Sequence, residues 1–167
     1  MNFDEAFRRL IGHEGAFQNA ATDRGNWTTG VIGHGVNKGT KFGVSAMTYP
    51  GEDIAGLTLA RAKEIYLRDF WGPAGCDTVP DAIRFDLFDM AVNSGVKTAI
   101  ITLQHTVGVD DDGILGPVTL QAIQSMPPLR FIARFNGYRL QFLSSLSTWP
   151  AFGRGWANRV AKNLIEA

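Results

Sequence analysis

The chain has 167 residues, 45% of them hydrophobic and 19% charged, with equal numbers of acidic and basic side chains. A chain of that length buries about 70% of its unfolded surface on folding, and the composition excludes a disordered tail, a collagen-like repeat and a nucleic-acid-binding polycation. The single cysteine, Cys76, excludes an internal disulfide and a Cys-x-x-Cys metal or redox motif.

The first predicted helix runs from about Phe3 to His13, with Phe3, Phe7, Leu10 and Ile11 at helical spacing, Asn2 as cap and Asp4 and Glu5 in the first turn. Gly12 and Gly15 bracket Glu14 and place its carboxylate at the helix end. Residues 18–43 are rich in Gly, Thr, Asn and Asp, and short β-prone pieces at Trp27–Ile32 and Thr40–Val44 predict a loop-rich hairpin. Thr58 caps a second helix that stops before Gly72 and Pro73. Residues 81–93 are apolar on most sides, as expected of a buried central helix. Further helices are predicted over Thr98–Val107, Pro117–Gln124, Leu129–Leu146 and Ala151–Ile165. The fold class is therefore predominantly α, a helical bundle around a buried central helix with one small β-hairpin lobe.

Two carboxylates stand in unlike settings. Glu14, at a helix C-terminus beside Ala16 and Phe17, is expected to have a raised pKa, while Asp23, in a polar turn beside Arg24, Gly25 and Asn26, is expected to stay ionised. A protonated donor paired with an ionised partner is what glycoside cleavage requires. On spacing alone, though, a pair of solvated loop carboxylates is the better reading.

A resemblance changes that balance. The strings HEGAF, TDRGNW and GTKFGVS are similar to glycoside hydrolase family 108, the N-acetylmuramidases found as phage endolysins and bacterial secretion-activator proteins, where the corresponding motifs are approximately Glu-Gly-Gly-Tyr, Asp-Pro-Gly-Gly and Thr-x-Tyr-Gly-Ile. Residues 85–124 resemble the segment predicted in that family to bind peptidoglycan. The resemblance implies a lysozyme-like α+β fold in one domain with two lobes: a catalytic N-lobe over 1–75 that carries the hairpin, and a helical C-lobe over 80–167. Glu14 and the hairpin would form one wall of a cleft and the helices of residues 81–124 the other.

Carried over residue by residue, Glu14 matches the catalytic glutamate and Asp23 the aspartate. Thr40 matches the threonine by motif and is favoured as the catalytic one, since Phe42, Gly43 and Val44 follow it, whereas Thr29 matches by its spacing from Asp23 in the phage lysozyme layout and is a candidate substrate contact. Twelve residues, Thr28 to Gly39, look inserted between the two candidates, and Ala16 and Phe17 stand where the family has Gly and Tyr. Glu14 would be the general acid. Asp23 would position water or stabilise positive charge, and the threonine would orient that water or Asp23. Trp27, in the polar hairpin, is a candidate sugar-stacking residue, whereas Trp71, Trp149 and Trp156 are read as core. Asn93 is a candidate contact for a sugar N-acetyl or hydroxyl group, and equally an ordinary helix-terminal residue before Gly95.

The implied activity is hydrolysis of the β-1,4 bond between N-acetylmuramic acid and N-acetylglucosamine in peptidoglycan, without cofactor or metal, by a monomer acting as a phage endolysin in host lysis. A lytic transglycosylase using Glu14 alone, a non-catalytic peptidoglycan-binding protein and a zinc amidase built from His13, His34, His105 and Cys76 are the alternatives, though the last lacks any supporting ligand spacing. DDDG at residues 110–113 fails as an EF-hand loop, since Gly108 and Thr119 would occupy its first and last positions. With Asp4, Glu5, Arg8 and Arg9 inside the first apolar stretch there is no signal-peptide pattern, so synthesis in the host cytoplasm and action on the wall from the periplasm after membrane permeabilisation are expected. Residues 128–167 hold six basic side chains against Glu166 alone. These basic C-terminal helices are expected to contact an anionic envelope, with Arg154, Arg159 and Lys162 turned away from the stripe of Trp156, Val160 and Leu164.

Overall fold

In a computed structural model, residues 1–12 and 16–166 are described. Contacts gather the chain into two compact units, residues 7–67 and residues 1–6 with 68–167. The described residues form seven α-helices and one two-stranded sheet, a predominantly helical, lysozyme-like fold.

The larger unit begins with the start of α1, Phe3–Ile11. Asn2 and Glu5 cap this helix reciprocally: the Glu5 N–H donates to Asn2 Oδ1 at 3.0 Å, and the Asn2 N–H to Glu5 Oε2 at 2.9 Å. Phe3 packs edge-on to Trp71 and Phe88 with centroids 5.4 and 6.0 Å away. The central helix, α3 (Asp81–Ser94), is buried along most of its length, as its apolar sequence predicts, and passes through Gly95 into α4 (Val96–Val107). α5 (Pro117–Gln124) and α6 (Pro128–Ser145) both begin on proline, where the missing N–H costs no hydrogen bond. α6 packs on α3 and α4 and is followed by its antiparallel neighbour α7, Trp149–Ile165.

The polar interior of this unit departs from expectation. Asp86 and Asp89 are buried on α3, and Arg139 of α6 is wholly buried beside them. Arg139 Nη1 lies 2.7 Å from Asp89 Oδ2, while Arg159 of α7 binds Asp89 Oδ1 through Nε at 2.8 Å and also through Nη2. Asn136 and Asn163 donate to Asp86 and Asp89 as well. Arg159, expected on the outer face of the last helix, is thus turned inward. The reason is electrostatic: a carboxylate removed from water must be met by fixed positive charge. Part of the basic excess of the C-terminal helices serves the acidic central helix. Burial would raise the Asp89 pKa, but the hydrogen bonds and charges of Arg159 and Arg139 outweigh it and hold the carboxyl below its ordinary value.

The smaller unit contains the rest of α1, then β1 (Thr40–Lys41), β2 (Val44–Ser45) and α2 (Leu59–Tyr66), the last capped by Thr58 Oγ1, which accepts from the Arg61 N–H. Its core includes Phe7, Val44, Ile54, Ile65 and Tyr66, with Phe7 edge-on to Tyr66. The hairpin is shorter than predicted and forms at the second of the two β-prone pieces. β1 and β2 pair antiparallel around a two-residue turn at Phe42 and Gly43, both with positive φ, and the Tyr66 hydroxyl donates to the Phe42 carbonyl at 3.1 Å. No strand forms over Trp27–Ile32, because Gly30, Gly33 and Gly35 all turn the chain through positive φ and leave only an isolated bridge between Trp27 and Asn37.

Candidate functional site

The polar segment after α1 folds around one buried amide. Asn26, fully buried at the end of the 3₁₀ turn Arg24–Asn26, donates through Nδ2 to Gln18 Oε1 at 2.8 Å and to the Ala20 carbonyl at 3.0 Å. Its Oδ1 accepts from Gln18 Nε2 at 3.1 Å and from the Thr40 hydroxyl at 2.7 Å. Asp23 caps the same turn: Oδ1 accepts the Gly25 N–H at 2.8 Å, and Oδ2 accepts from Gln18 Nε2 at 3.1 Å. Gln18 and Thr40 are also bridged through both backbone N–H groups, at 2.9 and 2.8 Å. Gly39, before Thr40, permits this approach, since a Cβ there would overlap the Phe17 ring and the Gln18 carbonyl.

These bonds join Asp23, Gln18, Asn26 and Thr40 into one connected set. Asp23 is exposed, so its carboxylate faces water while its position is fixed. The Thr40 hydroxyl commits its proton to Asn26, which leaves its oxygen lone pairs as acceptors. Thr29 has a different place. Its hydroxyl donates to the His34 carbonyl at 2.8 Å and accepts from the Val31 N–H at 3.3 Å, both within the glycine-rich loop.

Trp27 is half-buried, and its indole N–H donates to the Ala21 carbonyl at 3.0 Å, leaving only ring surface to offer a ligand. Asn93 lies half-exposed in the last turn of α3, in the other unit. Glu14 and His13 lie outside the described residues; Glu14 stands four residues before Gln18 in the chain. Beside the network, a cavity of about 340 Å³ is lined by Phe17, Asn37, Lys38, Glu52 and Asp53. Phe17 is 41% exposed, and the Lys38 ammonium is held by the Pro50 carbonyl at 2.6 Å.

Gln18 and Asn26 escape a reading based on charge, yet both flank a candidate catalytic carboxylate, Gln18 directly after HEGAF and Asn26 within the turn that follows Asp23. An amide in each position is the signal. Among the other chemistry-bearing residues, His105 pairs with Asp111 at 2.9 Å, and Cys76 is buried, its thiol pushed up to about 12 by burial and by the charge of Asp77. Asp112 of the DDDG turn accepts from Gln104 Nε2 and from the Ile114 N–H, so this acidic cluster shapes its own loop. Trp71 is core, as expected, but Trp149 and Trp156 are not: both are half-exposed on α7. They share the helix face that carries the buried Gly153, Val160 and Asn163, and the Trp149 ring lies over Gly153.

The fold, with an aspartate fixed beside a polar hairpin, is that of a glycoside hydrolase of the lysozyme type. The chain belongs to the family Glycosyl hydrolase 108, whose model matches residues 7–95, more than half of its length. Among solved structures it is similar to Brucella abortus SagA, with 28% sequence identity and a TM-score of 0.82 over 98% of this chain and 92% of that one. No curated protein matches it. The protein is thus a glycosidase of a peptidoglycan-hydrolysing family. Among the described residues no helix is long and apolar enough to cross a membrane.

Proposed function

We propose that the protein is an N-acetylmuramidase that hydrolyses the β-1,4 bond between N-acetylmuramic acid and N-acetylglucosamine, and that Glu14, Asp23 and Thr40 carry the reaction. The observation that supports this most is the network through Gln18 and Asn26, which ties Asp23 to Thr40 and leaves Thr29 in its own loop. Glu14 donates its proton to the glycosidic oxygen as the bond to C1 breaks. Asp23 faces the positive charge that develops on the sugar. Thr40 Oγ1 accepts a hydrogen bond from the incoming water, which adds to C1, and the surplus proton passes to the carboxylates. Gln18 and Asn26 are positioning residues, since they act through Asp23 and Thr40. The cavity beside Phe17 is of a size at the lower end for ligand sites, about 300 to 1,000 Å³, and an exposed ring next to carboxylates suits one sugar of the strand. Trp27 and Asn93 are proposed as further glycan contacts. For the cellular role we propose a phage endolysin, a monomer that acts on the wall in host lysis, as the resemblance implies.

Mass spectrometry of digested peptidoglycan tests the reading. Reducing N-acetylmuramic acid ends are expected, and their loss in Glu14→Gln without loss of fold. Anhydro ends would instead assign a transglycosylase, and intact glycan with freed peptides an amidase.

A further inference from the structure

The cavity beside Phe17 carries charge that a neutral sugar has no group to meet. Around it stand one aromatic ring, the cation Lys38 and the carboxylates of Glu52 and Asp53. Glu52 is met by Arg61, whose Nη2 lies 2.6 Å from Oε1 and whose Nε lies 3.3 Å from Oε2. Lys38 and Asp53, by contrast, have no ion pair among the described residues. The half-buried Lys38 side chain reaches the segment that forms the far side of the cavity, and its ammonium donates to the Pro50 carbonyl at 2.6 Å and to the Glu52 carbonyl at 3.4 Å. Two carbonyls occupy two of its three protons and fix its position, but they leave its full charge unpaired. Asp53 folds back on its own loop, where Oδ1 accepts the Gly56 N–H at 3.1 Å, and a Cβ on Gly56 would overlap Oδ2.

A lysine that only tethers a loop is the simpler account, and Lys41 does that for the same segment through the Ala55 carbonyl at 3.0 Å. Lys38 differs because it lines the cavity. A fixed cation without a carboxylate partner, beside a ring and an acceptor, suits a ligand that carries a carboxylate and an N–H. In a peptidoglycan strand the sugars are neutral, since the lactyl carboxyl of N-acetylmuramic acid is taken up in an amide bond to the peptide branch. The first free carboxylate stands on the second residue of that branch, and two residues reach at most about 7 Å from the sugar.

We propose that the cavity takes the peptide branch of an N-acetylmuramic acid unit, with Lys38 pairing the first free carboxylate of the branch and Asp53 accepting an amide N–H. This rests on the reading of the cavity as a subsite for the glycan strand, but not on the chemistry assigned to Glu14. The test is calorimetric titration of the full chain with two N-acetylmuramyl-L-alanyl-γ-D-glutamyl methylamides that differ only at the glutamyl α-carboxyl, free in one and amidated in the other. The free acid should bind about fivefold more tightly, the size of one partly solvated ion pair. That ratio should fall towards one between 0.1 M and 1 M salt, as the Debye length shortens from about 10 Å to about 3 Å. Lys38→Met should bring the ratio to one at low salt, whereas Asp53→Asn, which keeps an acceptor for the Gly56 N–H, should hold it at or above the wild-type value. Equal binding of the two ligands by wild type, binding of neither at millimolar concentration, or a ratio of one in both variants would overturn the proposal, the last because disturbance of the 50–56 segment would then account for the loss. The salt series on wild type decides the matter even if Lys38→Met does not fold. A wild-type enzyme that releases reducing N-acetylmuramic acid ends yet binds both ligands equally would sink this inference and leave the cleavage reading standing; the fivefold ratio without such ends would do the reverse.

Discussion

Replacing Thr40 by valine removes one hydroxyl and preserves the shape of the side chain. Among the described residues that hydroxyl makes one hydrogen bond, 2.7 Å to Asn26 Oδ1, and Asn26 Oδ1 keeps Gln18 Nε2 as its other donor. The stability cost should therefore be that of one neutral hydrogen bond, about 1 kcal/mol. The catalytic cost comes from the lone pairs of the same oxygen. If they hold the attacking water in the transition state, losing a neutral hydrogen bond of about 0.5 to 1.5 kcal/mol lowers kcat by about two- to tenfold. Thr40→Ser should restore most of it. Thr29→Val is the matched control: among the described residues the Thr29 hydroxyl bonds only within residues 29–34, so kcat should stay at the wild-type value. Initial rates on purified glycan strands, with urea unfolding of each variant, separate the two effects. A Thr29→Val variant slower than Thr40→Val, or a Thr40→Val variant with full kcat, would refute the assignment of Thr40.

Asp89→Asn should cost about 3 to 5 kcal/mol in urea unfolding, because Arg139, wholly buried, would lose the carboxylate it pairs with. The same ion pairs set an acid limit: since Asp89 is held below its ordinary pKa when folded, its stabilisation is complete above about pH 4 and is lost as pH falls through the folded value, so Asp89→Asn should unfold with a shallower dependence on pH in that range. Cys76, its thiol pushed up to about 12, should resist iodoacetamide at pH 8.5 in the native protein and react once urea is added; rapid native labelling would contradict its burial.

Most helices could be read from the sequence because the information that makes them is local. Apolar spacing marked the buried face of α3, Asn2 and Thr58 marked helix starts, and Pro117 and Pro128 fell on the first residues of α5 and α6. The polar turn at Asp23 was legible for the same reason, since its carboxylate caps a turn two residues away. Thr40 was favoured over Thr29 by the Phe42, Gly43 and Val44 that follow it, but its link to Asp23 was not legible, because that runs through a backbone bridge from Gln18 to Thr40 and a buried amide that reaches both, contacts no sequence window contains. Of the two predicted β pieces, Thr40–Val44 lies within the observed hairpin Thr40–Ser45, while Trp27–Ile32 forms no strand because its β-prone side chains yielded to glycines with positive φ. Charge shows the same division. Counting residues located the basic excess in the last helices, but only the packing of α6 and α7 against α3 decided that Arg139 and Arg159 neutralise a buried carboxylate while Arg154 remains exposed to water, since the cost of burying Asp89 exists only once the helices have met.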